Sequence, residues 1–253
     1  MFLRKTVLAT GLAILVLGAG PALARQVTIA LHNVPPYVVT DAAGRVSGVE
    51  VELLAMVAER AGWELHPLPM PYARIRVVYV SDPEIDAAAP VLESYRLPGT
   101  LSKPFIRFQN VARTLSGSGI VLHSLDDLRG RHILAFQNAR DSLGPRFAAI
   151  VATPGTDYAE QANQMLPLRM LGAGRVDIVI AERRILDYFG HLPETGLDPA
   201  AAFVDYPLFP PSDYSVAFHD RALAEAFDRA LAASRADGSY ARILRNADSH
   251  PPS

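Results

Sequence analysis

The chain has no cysteine, and lysine occurs only at Lys5 and Lys103. A disulfide-stapled scaffold, a C-x-x-C redox or zinc site and a lipidated amino-terminal cysteine are therefore excluded. Charge of one sign is also lacking. The 24 Lys and Arg residues stand against 26 Asp and Glu, which offers no field for nucleic acid phosphates or an anionic bilayer, so neither is expected as a partner. The near-exclusive use of arginine carries no functional weight. No G-x-S-x-G, H-E-x-x-H or P-loop occurs, and the seven histidines, at 32, 66, 123, 132, 191, 219 and 250, show no metal-ligand spacing. No metal or organic cofactor is expected. Only His32, which follows the first strand, stands out among them.

Long apolar runs are absent except at the start. Arg4 and Lys5, the apolar stretch Thr6 to Gly20 and the small-x-small sequence Ala22-Leu23-Ala24 read as a secretory signal over residues 1–24, cleaved near Arg25. An uncleaved anchor fits less well, because the run is short, carries Gly11, Gly18 and Gly20, and breaks at Pro21. The expected product is an export to the periplasm of a Gram-negative cell with no membrane anchor after cleavage.

Half of the 253 residues are hydrophobic, enough for one compact unit or two modest lobes. Val27 to Leu31 reads as a buried strand leading to Asn33, Pro35-Pro36 and Tyr37, followed by a helix carrying Val51, Leu54, Val57 and Ala58 until Gly62 stops it. Trp63 to Leu68 reads as a strand, Tyr72 to Val80 as a helix and Ile85 to Ala89 as a strand. The pattern restarts with a strand at Ile133 to Phe136, a helix over Asp157 to Leu166, a strand at Val176 to Ala181 and a helix from Glu182 to Phe189. A strand at Tyr214 to Phe218 and an amphipathic helix end the chain. The fold class is α/β, with two open, mainly parallel sheets flanked by helices and joined by two strands. The lobes are expected at 25–110 with 212–253, and at 111–211. The crossovers fall near 107–115 and 204–212, and the ligand cleft lies between the lobes at strand carboxyl ends.

Gly48-Val49-Glu50-Val51-Glu52-Leu53-Leu54, Asp86-Ala87, Arg96, Ser102-Lys103-Pro104-Phe105, Leu125-Asp126-Asp127-Leu128-Arg129-Gly130, Gly174-Arg175-Val176-Asp177 and Asp237-Gly238-Ser239-Tyr240 occur in the order and spacing of a known family. In these stretches the chain resembles the extracellular solute-binding proteins of family 3, periplasmic receptors that typically serve amino acid transporters. The resemblance implies a two-lobed receptor that closes by hinge motion over a small polar solute, an amino acid or related carboxylate, and a permease of an ABC importer as partner.

The resemblance places Arg96 as the bidentate partner of a ligand carboxylate, with Glu93 beside it. It places Glu182, one methylene longer than the family's usual aspartate, as the partner of an amino group. Asn138 and Arg140 lie in a loop from which the family offers donors to a carboxylate; Asn33, Tyr37 and Tyr72, with Tyr95, would complete the pocket. Each has a plainer reading as a solvated or packed side chain, and Glu182 as a helix-start carboxylate favoured by the dipole. Arg74, in Pro71-Tyr72-Ala73-Arg74, has no role that can be carried over. The segment Ala87 to Tyr95 is shorter than the family's usual form and lacks its serine-rich run, which weakens the amino acid expectation but not the fold. Two further readings stay open. One is a hydro-lyase of the cyclohexadienyl dehydratase kind, which shares this fold and would use Glu182 as acid or base. The other is a ligand-sensing adaptor for a membrane sensor. Catalysis is not expected.

Overall fold

A computed structural model describes residues 25–198 and 202–249; the expected signal segment lies outside them. The first unit starts with β1 (Arg25–His32), the short hairpin β2 (Val39–Thr40) and β3 (Val46–Ser47), α1 (Val49–Ala61), β4 (Trp63–Met70), α2 (Tyr72–Ser81), β5 (Ala87–Val91), β6 (Thr100–Leu101) and β7 (Ile106–Phe108). The chain then crosses through β8 (Asn110–Leu115) into β9 (His132–Phe136), α3 (Ala139–Ser142), α4 (Pro145–Val151), β10 (Asp157–Gln161), α5 (Met165–Gly172), β11 (Ile178–Glu182), α6 (Arg183–Gly190) and β12 (Phe203–Tyr206). It returns through β13 (Ser212–Phe218) and ends in α7 (Arg221–Ala236) and α8 (Ser239–Ser249).

Each sheet is built on three parallel strands and completed by antiparallel crossovers. The first runs β4-β1-β5-β13-β6 with β7 also on β13, and the second β10-β9-β11-β8-β12. Strands β4, β1 and β5 are mutually parallel, as are β10, β9 and β11, whereas β13 and β8 run against them. The β-branched run of β1 is buried on both faces. Val27, Ile29 and Leu31 pack with Leu53, Leu54 and Val57 of α1 and Phe227 of α7, while Ala30 faces Ile75 and Tyr79 of α2. Prolines 67 and 69 are compatible with β4 because it is the edge strand, where a missing N–H costs no ladder bond.

Helix α1 begins without a side-chain cap. Its first donors, the Val49 and Glu50 N–H groups, bond the carbonyls of Pro36 and Tyr37 at 3.1 and 3.0 Å. That approach requires glycine at 48, where φ is 115° and ψ 170°, a region closed to other residues. A Cβ there would stand 2.5 Å from the Tyr37 carbonyl oxygen. At the other end Gly62, with φ 82°, takes the left-handed turn that closes the helix.

The expected helix over Asp157 to Leu166 is not formed. Residues 157–161 are β10, in parallel register with β9 from Asp157↔His132 to Gln161↔Phe136, and the helix starts only at Met165. Pairing with a buried strand overrides the local pattern there. The crossovers are paired with each other on both sides of a short gap: Tyr206↔Ala112 on one side and Ser212↔Phe108 on the other. Within the gap Gln109 Nε2 donates to the Phe209 carbonyl at 2.9 Å. Among the described residues no helix is long and apolar enough to cross a membrane.

Substituting Gly48→Ala forces both a forbidden backbone region and a backbone clash. It should cost about 1–3 kcal/mol or more, read as a melting temperature roughly 5 °C or more lower. An unchanged melting temperature would show that the Pro36–Tyr37 cap does not constrain α1.

Candidate functional site

The carboxyl ends of the parallel strands of both sheets face one cleft, with about 710 Å³ of space that includes a part open to solvent. From the first unit come His32 at the end of β1, Tyr72 after β4, and Pro90 and Tyr95 at and beyond the end of β5. From the second come Phe136 and Gln137 at the end of β9, Ser142 of α3, Ala162 and Gln164 after β10, and Glu182 and Ile185 at the β11–α6 junction. The crossovers supply Phe108, Asn110 and Tyr214. This is the position at which open α/β sheets present side chains to a ligand.

Glu182 is 4% exposed. It ends β11 and caps α6: its Oε2 accepts from the Ile185 N–H at 3.1 Å, and Oε1 accepts from the Gln109 N–H at 3.3 Å. Burial raises its pKa, and the Ile185 amide, the Tyr37 hydroxyl, the Gln109 amide and the nearby Arg184 oppose that shift only in part. Both of the readings open in the sequence are thus realised, since one carboxylate starts a helix and also faces the cleft.

Aromatic rings form most of the remaining wall. The Tyr72 hydroxyl donates to that of Tyr95, and Tyr95 also faces Tyr214 and Ser142 across the cleft. His32 packs against Tyr72 with ring centroids 5.0 Å apart. Its burial lowers its pKa to about 4, so the imidazole is uncharged near neutral pH.

Of the residues expected at the site, Glu182 and Tyr72 line the cleft, as does Tyr95. Arg96 does not. It is exposed, in the left-handed conformation (φ 48°) that ends the short turn Glu93–Tyr95, and Glu93 is exposed beside it. Asn33 is exposed too, its N–H bonding the Met70 carbonyl at 3.0 Å. Tyr37 is fully buried behind Phe108, the two rings stacked at 4.3 Å, with its hydroxyl toward Glu182 and Arg184. Asn138 and Arg140 are exposed, and their N–H groups donate to Glu160 at 2.7 and 2.9 Å. The Glu160 carboxylate also accepts from the Tyr158 hydroxyl at 2.6 Å. Burial alone would raise the Glu160 pKa, but these three donors outweigh it and the net shift is downward. Arg140 itself lies over the Tyr158 ring.

Phe108, Asn110, Phe136, Gln137, Gln164 and Tyr214 were not singled out as site residues by the sequence. Phe136 and Gln137 carried a usable signal, since they stand where a predicted buried strand gives way to a loop. The crossover residues carried none, because their direction depends on how two distant strands pair.

A second buried acid lies deeper. Glu50, in the first turn of α1, is fully buried, and neither of its carboxyl oxygens has a hydrogen-bond partner. The helix dipole at that position favours the anion. Burial prevails and pushes the pKa up to about 8.

The family model for bacterial extracellular solute-binding proteins, family 3, matches residues 27–246. No match is found among curated proteins. Similar solved structures include an ancestral arginine-binding protein bound to arginine, 20% identical with a TM-score of 0.69, covering 89% of this chain and 99% of that one. A histidine kinase sensor domain with similarity to periplasmic binding proteins is 20% identical with a TM-score of 0.72, covering 88% and 96%. An ancestral amino acid-binding protein described as a precursor of cyclohexadienyl dehydratase is 16% identical with a TM-score of 0.66, covering 87% and 94%.

The Glu50 carboxyl holds its proton more tightly folded than unfolded. Its contribution is therefore complete below the ordinary value of 4.5 and is lost as pH rises through about 8. Between pH 7 and 9 the wild type should lose roughly 1 kcal/mol of stability through this group. Glu50→Gln should remove that slope in pH-dependent denaturant unfolding. A slope that survives the substitution would assign it to another group.

Proposed function

Because the chain belongs to the bacterial extracellular solute-binding proteins of family 3, we propose that it is a periplasmic receptor that encloses one small polar solute and delivers it to the permease of an ABC importer. The observation that carries this reading is the convergence of the carboxyl ends of both sheets on a cleft with one buried carboxylate, Glu182, in its wall. In this reading residues 1–24 direct export and are removed, the lobes are 25–110 with 212–253 and 111–211, and the crossovers near 107–115 and 204–212 are the hinge. Gln109 supports that assignment: its side chain ties one crossover to the other, and its backbone N–H and C=O bond Glu182 and Arg183, so hinge and cleft share a residue.

Glu182 is the anchoring group, taking a cationic or hydroxyl group of the solute. Arg96 stands outside the cleft and is assigned no anchoring role. A second reading, hydro-lyase chemistry, is favoured by one feature: an enclosed carboxyl whose proton is held more tightly than usual is suited to general acid or base work. The likeness to a dehydratase precursor is consistent with it. Turnover of prephenate or arogenate by the purified protein would establish that reading, and its absence at high protein concentration would remove it.

The receptor reading is tested by thermal unfolding of ligand-free protein against amino acids, polyamines, dicarboxylates and aromatic precursors. A ligand at about a hundred times its Kd adds roughly 2.7 kcal/mol. Glu182→Gln should weaken the binding of the active solute about tenfold or more, whereas Arg96→Ala should leave it within about threefold. A loss of about a hundredfold in Arg96→Ala would instead return that arginine to the site as a carboxylate partner. Silence across the panel from folded, empty protein would count against the receptor reading.

A further inference from the structure

The formal charge in the cleft wall comes from an acid, and Arg184, which lies close to it, is not among the lining residues. Among its described lining residues Glu182 is the sole acid, no lysine or arginine is present, and His32 is uncharged near neutral pH. Around that carboxylate stand the rings of Tyr72, Tyr95, Phe108, Phe136 and Tyr214. Aromatic faces attract cations and accommodate apolar bodies, and an anionic group among them gains nothing. One pair of backbone donors beside this wall is also taken. Gln137 and Ser142 line the cleft on either side of the 138–140 turn, and the N–H groups of Asn138 and Arg140 in that turn are held by Glu160. The protein's own carboxylate occupies that pair of amides. A ligand carboxylate entering the cleft would meet no lysine or arginine among the described lining residues, and it would approach Glu182. The neutral amides of Asn110, Gln137 and Gln164 and the hydroxyls of the wall can donate to that ligand carboxylate, but neutral donors offset the desolvation of a full charge less than a cation does.

We propose that the cleft selects an organic cation, a protonated amine or quaternary nitrogen on an apolar or aromatic body, that carries no carboxylate. The inference rests on the receptor reading and narrows it to a solute class. The ammonium group sits against Glu182, and the body of the solute lies between the rings of the two units. Amino acids are discriminated against by their second charged group.

Matched compounds that differ by one group test this directly. Binding to the wild-type mature protein is measured by calorimetry for phenethylamine, phenylalanine and hydrocinnamate, and for agmatine and arginine. The expected result is that at least one amine binds about tenfold or more tighter than its amino acid, and that hydrocinnamate does not bind. Glu182→Gln keeps an acceptor for the Ile185 N–H and should fold. It should weaken the amine about tenfold or more, and Phe136→Leu should weaken it without changing the preference for amine over amino acid. An amino acid that binds as tightly as its amine overturns the inference and leaves the receptor reading standing. Failure of every amine overturns it as well, and if the broader solute panel is also silent the receptor reading falls with it.

Discussion

The Glu182 carboxylate joins three parts of the molecule that are far apart in sequence. One oxygen caps the helix that follows it, the other reaches the N–H of Gln109 on the outgoing crossover, and the side chain still faces the cleft. The end of β11, the start of α6 and the bend between β7 and β8 are therefore fixed against one another by a single buried acid. Burial makes that acid costly, and two amides, the Tyr37 hydroxyl and Arg184 offset only part of the cost. The unsatisfied remainder is what a bound donor would relieve.

Other charges, one buried and one half-buried, show what a fully satisfied arrangement looks like. Arg113, 4% exposed in β8, is held bidentately by Asp205 of β12 at 2.7 and 2.8 Å and by Asp187 of α6 at 2.5 Å. Its guanidinium binds the two crossovers on the side of the second sheet, where it has no duty toward the cleft. Glu160 is similarly complete, with two amides and a phenol. Glu50 is the opposite case, fully buried with no partner, and it stays protonated near neutral pH instead.

The strands and helices of the first unit were legible because their signals are local. The run at Val27 to Leu31 is buried on both faces, and Gly62 ends α1 where the sequence placed the stop. Glu182 was legible by position, at the end of a buried strand. Arg96 was placed by resemblance, but whether an arginine enters a cleft depends on the backbone before it, and here a left-handed turn at φ 48° keeps it exposed. Tyr37 is the reverse case, its ring buried in the core behind the cleft wall with its hydroxyl toward Glu182. The β10 segment could not be read from its own residues, since its extended form comes from β9. With it went Glu160, whose carboxylate meets the 138–140 amides only once those two strands are side by side.

The two prolines of β4 bear on how the molecule meets its neighbours. Strand β4 is the outer edge of the first sheet, and alternation along it turns the donors of residues 65, 67 and 69 away from β1. Two of those three positions, Pro67 and Pro69, have no N–H to offer. A foreign strand aligned with this edge would find no donor at two successive outward positions, so the longest exposed edge of that sheet is less open to strand addition and aggregation.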